Sequence, residues 1–414
     1  MDTKADRGSG RPRAVVVGGG IGGLTAALAL LGRGWRVTVL ERAAEPRPVG
    51  AGIALAPNGQ RALDVIGLGD TVRKLAAWQG DGGLRTPGGR WLARTDARAA
   101  AEAFGGPVVL LHRATLIGTL AAALPAGTVR TGAAAELADR GDAGRPAVVR
   151  TADGEIEADL VVGADGIHSA LRAGLFPAYP GPAYAGFTTW RLVVPAPGRT
   201  FPPHETWGPG RLWGTQPLKD GRLYAYAAAW TPRDGHAPDG ELAELRRLFG
   251  SWHDPVPAVL AAADDGAVLR NDVHWMARSL PAHHRGRVAL IGDAAHAMAP
   301  TLGQGGNQAI EDAVVLAHHV DPHGDLTVGL AHYSAERMPR TLAVVARAER
   351  AAKLAMLRNP AGIAARNALI RALGAFGPGP MLRSLADTVD WQPPATRMLT
   401  RQGSSTPLGD RETP

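Results

Sequence analysis

The sequence predicts an α/β fold: a discontinuous Rossmann-like domain, an inserted and mainly antiparallel β-sheet domain, and a C-terminal helical region. Three observations predict it. At three separate places a short apolar run leads directly into a glycine-rich turn, as strands buried on both faces of a parallel sheet do. Between residues 179 and 277 the pattern changes to alternating strands separated by turn residues. The later part of the chain has helical periodicity.

The composition narrows the class of protein. With 414 residues, of which 45% are hydrophobic, the chain can bury a large core and divide into two lobes. The absence of cysteine excludes disulfides, thiolate nucleophiles and cysteine zinc sites, and no histidine spacing indicates a metal site. The net charge of +7 comes mainly from scattered arginines, without the basic, aromatic-interleaved run of a nucleic-acid-binding protein.

The N-terminal region indicates neither export nor a membrane span. Residues 1–13 are polar and lack the apolar segment of a signal peptide. Residues 14–31 are apolar, but their glycines and strand–turn–helix pattern favour a buried Rossmann unit over a transmembrane helix. We therefore expect a cytoplasmic protein without a membrane or nucleic-acid partner.

The first motif predicts a dinucleotide-binding turn. Ala14–Val17 reads as a buried strand, and the helix after the turn covers Leu24–Leu31. Between them, Gly18 allows the tight turn, Gly20 lets a pyrophosphate approach the backbone, and Gly23 lets the helix pack on the strand. The helix N-terminus offers free N–H groups and a positive dipole end to the phosphates.

An acidic residue follows at the distance that such a turn requires. The strand Arg36–Leu40 ends in Glu41, whose carboxylate can accept hydrogen bonds from a ribose 2′-hydroxyl and would repel a 2′-phosphate. The motif therefore favours the adenosine of FAD or NAD over that of NADP.

Two further motifs place aspartates at strand ends. Leu160–Gly163 leads into Asp165, which is either a turn-former or a ligand-side acceptor. Val288–Ile291 leads into Asp293, which either caps a helix or binds a sugar-alcohol hydroxyl. The loop after Asp293 enters a helix near Gly305, whose N-terminus would stabilise negative charge on a flavin pyrimidine ring. Together the three motifs indicate FAD.

In this combination the chain resembles the single-component, FAD-dependent aromatic hydroxylases of the p-hydroxybenzoate hydroxylase fold, particularly salicylate hydroxylase, zeaxanthin epoxidase and bacterial urate hydroxylase. The resemblance covers about Ala14 to Trp391. It implies that Glu41 and Arg42 hold the adenosine ribose and that Arg113 lies by the pyrophosphate or flavin. The residues expected at non-covalently bound FAD are Gly18, Gly20, Ile21, Gly23, Glu41, Arg42, Gly52, Ile53, Arg113, Asp165, Asp293, Pro300, Gly303, Gly305, Gly306 and Asn307.

The same resemblance assigns further roles at the flavin. Asp165 would border both FAD and the route of the nicotinamide, and Asp293 would bind the ribityl chain. There is no second Gly-x-Gly-x-x-Gly turn, so NADH or NADPH would bind transiently in a shared groove.

The alternating region predicts a sheet face that carries aromatic and cationic side chains. The predicted strands are Tyr184–Val194, Glu205–Leu218 and Gly221–Trp230. Alternate residues of a strand share a face, which groups Arg211 with Trp213 and Tyr224 with Tyr226. Packing against neighbouring helices is one reading of these rings. The resemblance favours a roof over the flavin, with Arg211, Tyr224 and Tyr226 on the substrate side.

The sequence departs from the family pattern near this sheet. Thr189 stands where urate hydroxylases carry a polar amide, and Leu192 stands where many relatives have glycine. These differences favour a substrate larger and more apolar than urate.

The remaining chain reads as helices. One helix is predicted over Gly240–Ser251 and a longer one over Leu326–Arg358, interrupted at Pro339. Residues 401–414 are expected to be a disordered tail. The basic residues of the long helix are expected on a solvated face: Arg337, Arg340, Arg347, Arg350 and Lys353. The predicted boundaries are 1–75, 105–178 and 279–355 for the FAD-binding domain, 76–104 and 179–278 for the substrate domain, and 356–400 for the helical region.

The predicted function is that of an FAD-dependent monooxygenase, a monomer or homodimer, in bacterial secondary metabolism. By the resemblance, NADH or NADPH reduces FAD, and dioxygen forms a flavin C4a-hydroperoxide that hydroxylates or epoxidises an aromatic or unsaturated small molecule. A flavin oxidase or dehydrogenase is the enzymatic alternative. A catalytically inactive protein that sequesters a ligand is the non-enzymatic one.

Overall fold

The computed structural model describes residues 10–45, 51–78, 81–196, 198, 201–375 and 385–395. The strands are β1 Arg13–Val17, β2 Arg36–Leu40, β3 Gly52–Leu55, β4 Ala77–Trp78, β5 Gly82–Arg85, β6 Trp91–Thr95, β7 Val109–His112, β8 Val129–Arg130, β9 Ala135–Asp139, β10 Ala147–Thr151, β11 Gly154–Ala158, β12 Leu160–Gly163, β13 Ala183–Pro195, β14 His204–Gly208, β15 Arg211–Pro217, β16 Arg222–Trp230, β17 Leu269–Trp275, β18 His284–Arg285 and β19 Val288–Leu290. The helices are α1 Ile21–Gly32, α2 Pro57–Val65, α3 Gly69–Leu75, α4 Ala97–Phe104, α5 Arg113–Ala122, α6 Ala170–Leu175, α7 Glu241–Phe249, α8 Val256–Ala261, α9 Asp293–His296, α10 Gly305–His319, α11 Leu326–Ala355 and α12 Pro360–Ala375.

The three motif strands lie side by side in one sheet. Its order is β18-β19-β12-β1-β2-β8, with β1 parallel to both β12 and β2, and β12 parallel to β19. Because the carboxyl ends of parallel strands meet at one edge, the three glycine-rich turns come together. The α/β class predicted from the apolar runs is confirmed.

The two faces of this sheet are covered by different layers. Ala14 and Val16 point into a core shared with α1, α5 and α10, whereas Val15 and Val17 point towards β10, β11 and α6. Successive residues of a strand face opposite sides, so the fully apolar run of β1 buries both faces.

The second large sheet has the order β17-β13-β16-β15-β14-β5-β6. Its pairings are antiparallel except for β14 with β5. One face packs on α7 and α8 through a core that contains Trp190, Trp213 and Phe249. The predicted covering helix over Gly240–Ser251 is therefore confirmed as α7. The predicted single strand over Glu205–Leu218 is wrong, since β14 and β15 form a hairpin there.

The chain also forms a small third sheet, ordered β3-β7-β4. Its strand β4 pairs with β7, so this piece of the segment 76–104 belongs to the third sheet and not to the seven-stranded one. The remaining domain boundaries stay a prediction, and the expected tail at 401–414 lies outside the described residues.

The expectation of a solvated basic face on α11 is wrong for Arg337. This helix continues through Pro339, where an interruption was predicted, and the Arg337 side chain is fully buried. Arg340 is also largely buried, whereas Arg350 and Lys353 are exposed. Among the residues described, no helix combines the length and apolarity needed to cross a lipid bilayer.

Candidate active site

The first glycine turn leaves open space at the start of α1. Gly18 has φ +110°, and a Cβ added there would lie 2.3 Å from the Ala164 carbonyl oxygen. A Cβ at Gly23 would lie 1.9 Å from the Gly18 carbonyl oxygen, which explains the close packing of α1 on β1. At Gly20 no atom lies within 4 Å of an added Cβ, and α1 has no side-chain cap at this residue. The N–H groups of α1 near Ile21 therefore border the open space that a pyrophosphate needs.

Glu41 is held beside this turn by backbone donors. Its carboxylate accepts hydrogen bonds from the Gly19 N–H at 2.6 Å and the Ala43 N–H at 2.8 Å. A carboxylate has about four lone-pair sites, so acceptor capacity remains for a ribose hydroxyl. Arg42 is exposed next to it. The adenosine-binding roles of Glu41 and Arg42 stay a prediction.

Asp165 has a structural use in its own turn. Its carboxylate accepts the Ser169 hydroxyl at 2.6 Å and the Leu171 N–H at 3.1 Å, at the start of α6. A Cβ added at Gly18 would lie 3.1 Å from the Asp165 nitrogen, so the first two turns are in contact. The turn-former alternative accounts for the Asp165 carboxylate, and its contact with FAD stays a prediction.

Asp293 differs from Asp165 because its side chain is exposed, whereas the next two residues are buried. Its carboxylate forms no hydrogen bond to the described part of the chain, and a Cβ added at Gly305 would lie 3.7 Å from its Oδ1. An accessible carboxylate beside the start of α10 can bind a sugar-alcohol hydroxyl. Arg113 lies near Asp293, and burial lowers the pKa of Arg113 while the carboxylate partly offsets that effect.

The loop before α10 exposes a helix N-terminus. Pro300 begins a short turn, Gly303 has φ +61°, and the first turn of α10 has no side-chain cap or acidic residue. Asn307 accepts the Ala56 N–H at 3.1 Å and donates to the carbonyl oxygens of Ala54 and Gly303 at 3.1 and 2.9 Å. The Asn307 side chain thus joins β3 to the loop, which makes it a positioning residue in this structure.

A buried ion network supports this loop. It consists of Glu311 and Asp312 on α10 and Arg337 and Arg340 on α11. Arg337 donates to Asp312 and Glu311 at 2.6 Å each, and Arg340 donates to Glu311 at 2.6 and 2.7 Å. Asp312 also accepts the N–H of Gly292, the residue before Asp293, at 2.8 Å. The network therefore fixes the backbone that presents Asp293.

The charges of the network set the ionisation of Asp312. Burial alone would raise the pKa of this carboxyl, but the neighbouring His296 and Arg337 outweigh burial and hold its pKa below the usual range. His296 Nε2 lies 2.5 Å from the Asp312 carboxylate. Asp312 is accordingly an ionised, structurally paired group.

We call the loop of residues 300–304, which leads into α10, the flavin loop. The strand β3 connects this loop to the seven-stranded sheet. A Cβ at Gly306 would lie 2.7 Å from Ile53 Cδ1, and a Cβ at Gly52 would lie 2.5 Å from the Tyr224 ring. The Tyr224 and Tyr226 ring centroids are 5.6 Å apart. Gly52 and Ile53 thus lie between the start of α10 and the two tyrosines. We call the region that Gly52, Tyr224 and Tyr226 border the chamber.

The inward face of the sheet carries a cluster of side chains joined by hydrogen bonds. Glu205 accepts the Tyr226 hydroxyl at 2.5 Å and the Trp207 Nε1–H at 2.8 Å. Burial raises the pKa of Glu205, and these two hydrogen bonds only partly oppose the rise. Burial also raises the pKa of Tyr224 to about 12, so this phenol is neutral at physiological pH.

The substrate-side role predicted for Arg211 is wrong in its geometry. In the register of β15 and β16, Arg211 pairs with Ala229, while Tyr226 pairs with Gly214, so Arg211 and Tyr226 face opposite sides. The Arg211 guanidinium donates to the Leu248 carbonyl oxygen at 2.6 Å on the helix-covered face.

Leu192 also lies on the helix-covered face. It is fully buried in the core with Trp190 and Trp213, so it does not enlarge the chamber. The preceding Arg191 pairs with Tyr226 in the strand register and faces the chamber side, where it hydrogen-bonds to Asn271. The argument for a larger substrate therefore loses its support from Leu192.

Sequence reasoning missed the chamber residues Glu205, Trp207, Gln216 and Arg191. The signal that could have found Glu205 and Trp207 is Pro209-Gly210, a strong turn dipeptide inside the stretch that was read as one strand. A turn there restarts the alternation, so Glu205 and Trp207 lie on the face opposite to Arg211, which is the face of Tyr226.

Two cavities lie outside the chamber. One of about 200 Å³ lies behind the flavin loop, between Gly303 and Val389. Another of about 730 Å³ lies at the sheet edge against Arg85 and Trp91. The second is remote from the three glycine turns, so it takes no part in the site.

The arrangement fits FAD. The open space at Gly20 and the uncapped start of α1 suit a pyrophosphate, the accessible Asp293 suits a ribityl chain, and the uncapped start of α10 suits the flavin pyrimidine. The three turns that carry these features are in contact, and the chamber lies beyond them.

Comparison with known proteins gives concordant results. A family model described as an FAD binding domain matches residues 12–348. The chain is 36% identical over 368 residues to an aurachin C monooxygenase/isomerase from Stigmatella aurantiaca, with 86% of this chain and 93% of the relative covered. It is 38% identical over 352 residues to a 3-amino-4-hydroxybenzoate 2-monooxygenase from Streptomyces cremeus, with 82% and 87% covered. The structure of HpxO from Klebsiella pneumoniae complexed with FAD and uric acid matches with a TM-score of 0.84 at 29% identity, covering 92% of this chain and 97% of that one.

Proposed function

The chain belongs to the family of FAD-dependent aromatic monooxygenases, and on that premise we propose that it oxygenates a small, electron-rich aromatic molecule held in the chamber. The predicted family and the predicted cofactor are confirmed by the match over residues 12–348 and by the relatives. NADH or NADPH is the reductant typical of the family. The oxidase, dehydrogenase and inactive-binder alternatives have no observation in their favour.

One observation carries the choice of substrate class. The chamber lies between the start of α10, where the flavin ring would lie, and a sheet face with two tyrosine rings and a hydrogen-bond cluster. Aromatic walls suit a flat ring, and a few polar groups suit its substituents. The names of the two curated relatives, an aurachin C and an aminohydroxybenzoate monooxygenase, support an aromatic substrate.

The protein residues would position the reaction and keep it dry. FAD, when bound, supplies the redox chemistry and the activation of dioxygen. The start of α10 would stabilise negative charge on the flavin pyrimidine, and Asn307 would hold β3 and the flavin loop in register. Tyr224, packed on Gly52, would separate the chamber from water on the sheet side.

The deciding experiment is a screen of aromatic compounds for faster NADH or NADPH oxidation by the FAD-loaded protein. We expect at least one compound to accelerate oxidation and to gain one oxygen atom, labelled when the reaction runs under oxygen-18. Product without label would instead mean that hydride is removed from the substrate, which is the chemistry of an oxidase or dehydrogenase.

The role of Asp293 is tested by Asp293→Ala. Because this accessible carboxylate is proposed to hold the ribityl chain, we expect purified protein with little bound flavin and a FAD affinity lowered at least tenfold. Asp239→Ala, an exposed carboxylate paired with Arg247, is the matched control. Flavin occupancy equal to that of the wild type in Asp293→Ala would contradict the role.

A further inference from the structure

A small cavity lies directly behind the flavin loop. Its volume is about 200 Å³, and residues of the flavin loop and of the segment 385–389 lie on its walls. Protein interiors seldom leave a space of this size empty, because the atoms around it lose packing contacts. The side chains that line the cavity are mainly apolar, among them those of Ala54, Ala56, Phe104, Val108, Leu302 and Val389. The cavity therefore has room for a small molecule that tolerates apolar walls.

The polar side chains of the lining are largely engaged inside the protein. Thr301 donates its hydroxyl to a carbonyl oxygen of α11 at 2.7 Å, and the Thr388 hydroxyl accepts a hydrogen bond from Arg347 at 2.8 Å. Asn307 is bonded to β3 and to the flavin loop. The side-chain oxygen of Gln304 accepts from two other amides, at 2.9 and 3.3 Å, whereas its amide nitrogen forms no hydrogen bond to the described part of the chain. The lining side chains thus offer few free polar groups to a ligand.

Backbone carbonyl groups of the lining are engaged in the same way. Arg61 donates to the carbonyl oxygens of Phe104 and Val389 at 3.0 Å each, and Arg340 donates to that of Thr388 at 2.9 Å. A water molecule held inside a protein needs two to four polar partners, and these walls offer too few to bind one firmly. Apolar cavities of this kind stay dry and take up small apolar molecules.

The cavity shares one wall, the flavin loop, with the place proposed for the flavin ring. The loop leads into α10, whose start would lie against the flavin pyrimidine. Gly303 in this loop has φ +61°, and among the described residues the only atom within 4 Å of an added Cβ is Ala54 Cβ, at 3.9 Å. At Gly303 the shared wall therefore has no side chain to block a small molecule.

We propose that this cavity takes up dioxygen and supplies it to the flavin past Gly303. The assignment rests on the proposed function, because it needs a bound flavin that reacts with dioxygen. Dioxygen is small and apolar, so it suits walls whose polar groups are already engaged. A ring with hydroxyl or amino groups does not suit them, because those groups would be left unpaired. With an aromatic substrate in the chamber, the sheet side of the flavin is covered, and the cavity gives the gas a second way in.

Xenon is the probe for occupancy, since it is an apolar atom that enters dry protein cavities. Crystals of the FAD-loaded protein under xenon pressure should show xenon between Gly303 and Val389. Val108→Phe places an aromatic ring in the cavity, and we expect it to abolish the xenon density. Ordered water in the wild-type cavity, or no xenon there, would overturn the assignment.

The second measurement is the rate at which dioxygen oxidises the reduced flavin of the FAD-loaded protein, followed by stopped-flow absorbance. We expect Val108→Phe and Val389→Phe, which fill the cavity from two different segments, to lower the second-order rate constant at least fivefold. The rate of flavin reduction by NADH or NADPH should not change, because the cavity is too small for a nicotinamide dinucleotide. Val328→Phe adds the same ring at an exposed position of α11 and should change neither the xenon density nor either rate.

The two rates separate a filled cavity from a distorted flavin loop. Distortion lowers flavin content and slows reduction as well as reoxidation, whereas filling slows reoxidation alone. Reoxidation at the wild-type rate in both variants after xenon has been lost would contradict the proposal. Equal slowing of reduction and reoxidation in both variants would contradict it as well.

Failure of this inference is distinguishable from failure of the proposed function. Protein that takes up no FAD, or that oxygenates no aromatic compound, counts against the function itself. FAD-loaded protein that oxygenates an aromatic compound but holds no xenon, or whose filled variants reoxidise normally, counts only against the cavity.

Discussion

Two regions of the molecule treat enclosed carboxyl groups in opposite ways. Behind the flavin loop, Glu311 and Asp312 are fully buried, and guanidinium groups of α11 pair with both. On the seven-stranded sheet, Glu205 accepts hydrogen bonds only from the neutral Tyr226 and Trp207. The pKa of Asp312 is held below its ordinary range by His296 and Arg337 against the effect of burial, whereas burial raises the pKa of Glu205.

The difference lies in the partners of each carboxyl group. A carboxylate whose charge is neutralised inside the chain fixes the backbone around it, and here that backbone presents Asp293 through Gly292. Glu205 instead accepts hydrogen bonds from neutral groups, so its ionisation is opposed by burial. Burial alone therefore does not show how a carboxyl group behaves, because its partners decide the direction of its pKa shift.

The largest effect on stability is expected when Arg337 is removed. Arg337→Leu leaves Asp312 buried without its guanidinium and Glu311 with only Arg340, so we expect a loss of about 3–5 kcal/mol in the free energy of unfolding. Thermal melting of the apo and FAD-loaded protein measures it, and FAD affinity should fall as well because the Gly292 backbone loses its anchor.

Arg350→Leu on the same helix is the matched control for Arg337→Leu. Arg350 is exposed and donates only to the Ala346 carbonyl oxygen of its own helix, at 3.2 Å. We expect its melting temperature to stay close to that of the wild type. Equal melting temperatures for the two leucine variants would remove the distinction between buried support and surface charge.

A smaller effect is expected where β3 contacts the seven-stranded sheet. In Gly52→Ala the new methyl group would lie 2.5 Å from the Tyr224 ring, so the ring must shift, at a cost of about 1–3 kcal/mol. Substrate affinity should fall with stability because Tyr224 walls the chamber. Gly118→Ala, on the exposed side of α5 with nothing within 4 Å, should be neutral or stabilising. Wild-type stability and affinity in Gly52→Ala would mean that Tyr224 and β3 are not in contact.

The pH dependence of stability sharpens the contrast between the acids. Burial raises the pKa of Glu205 in the folded state. The contribution of Glu205 to the free energy of unfolding is therefore fully present below its pKa in the unfolded chain, about 4.3. That contribution is lost as pH rises through its pKa in the folded state. The loss is about 1.4 kcal/mol per pH unit between the two values. Asp312 behaves oppositely: its lowered pKa adds stability above about pH 4 that is lost on acidification.

Glu205→Gln isolates the first of these slopes. Melting temperatures of the variant and the wild type should diverge as pH rises from about 4.3 towards neutrality, with the variant relatively more stable at the higher pH. Glu155→Gln, exposed on β11, should give a constant difference over the same range. A constant difference for Glu205→Gln as well would mean that Glu205 ionises normally in the fold.

The smallest effect is expected at Arg211, on the other face of the same sheet. Arg211→Ala removes the hydrogen bond to the Leu248 carbonyl oxygen, at a cost of about 1 kcal/mol, and should leave the KM for an accepted substrate unchanged. Steady-state kinetics with a compound found in the screen measures this. A KM raised severalfold would mean that Arg211 does act on the substrate side of the sheet.

Short motifs correctly predicted the strands and the helix that carry the three glycine-rich turns. The strand before Gly18, the helix after it and the strand ends at Asp165 and Asp293 all lie where the pattern placed them. Each of these features is encoded within about ten neighbouring residues. The uses of the two aspartates could not be separated in this way, because only their partners show that Asp165 caps α6 while Asp293 stays accessible.

The substrate half was predicted less well because strand facing depends on register. The hairpin turn at Pro209-Gly210 places Glu205 on the face opposite to Arg211, and Glu205 was overlooked because the turn was not predicted. Arg211 was placed on the wrong side because its facing relative to Tyr226 depends on the register of β15 with β16, which alternation alone does not give.

By itself the sequence determined the fold class and the cofactor, since glycine spacing and strand-end aspartates carry that information locally. The reaction family followed from the resemblance that these motifs carry. Only the tertiary structure decided which charges are paired. Arg337 and Asp312 are 25 residues apart on two helices, and Glu205 and Tyr226 are 21 apart on two strands. Helical or strand periodicity predicts on which face of its element a side chain lies. What covers that face depends on how elements distant in the sequence pack together.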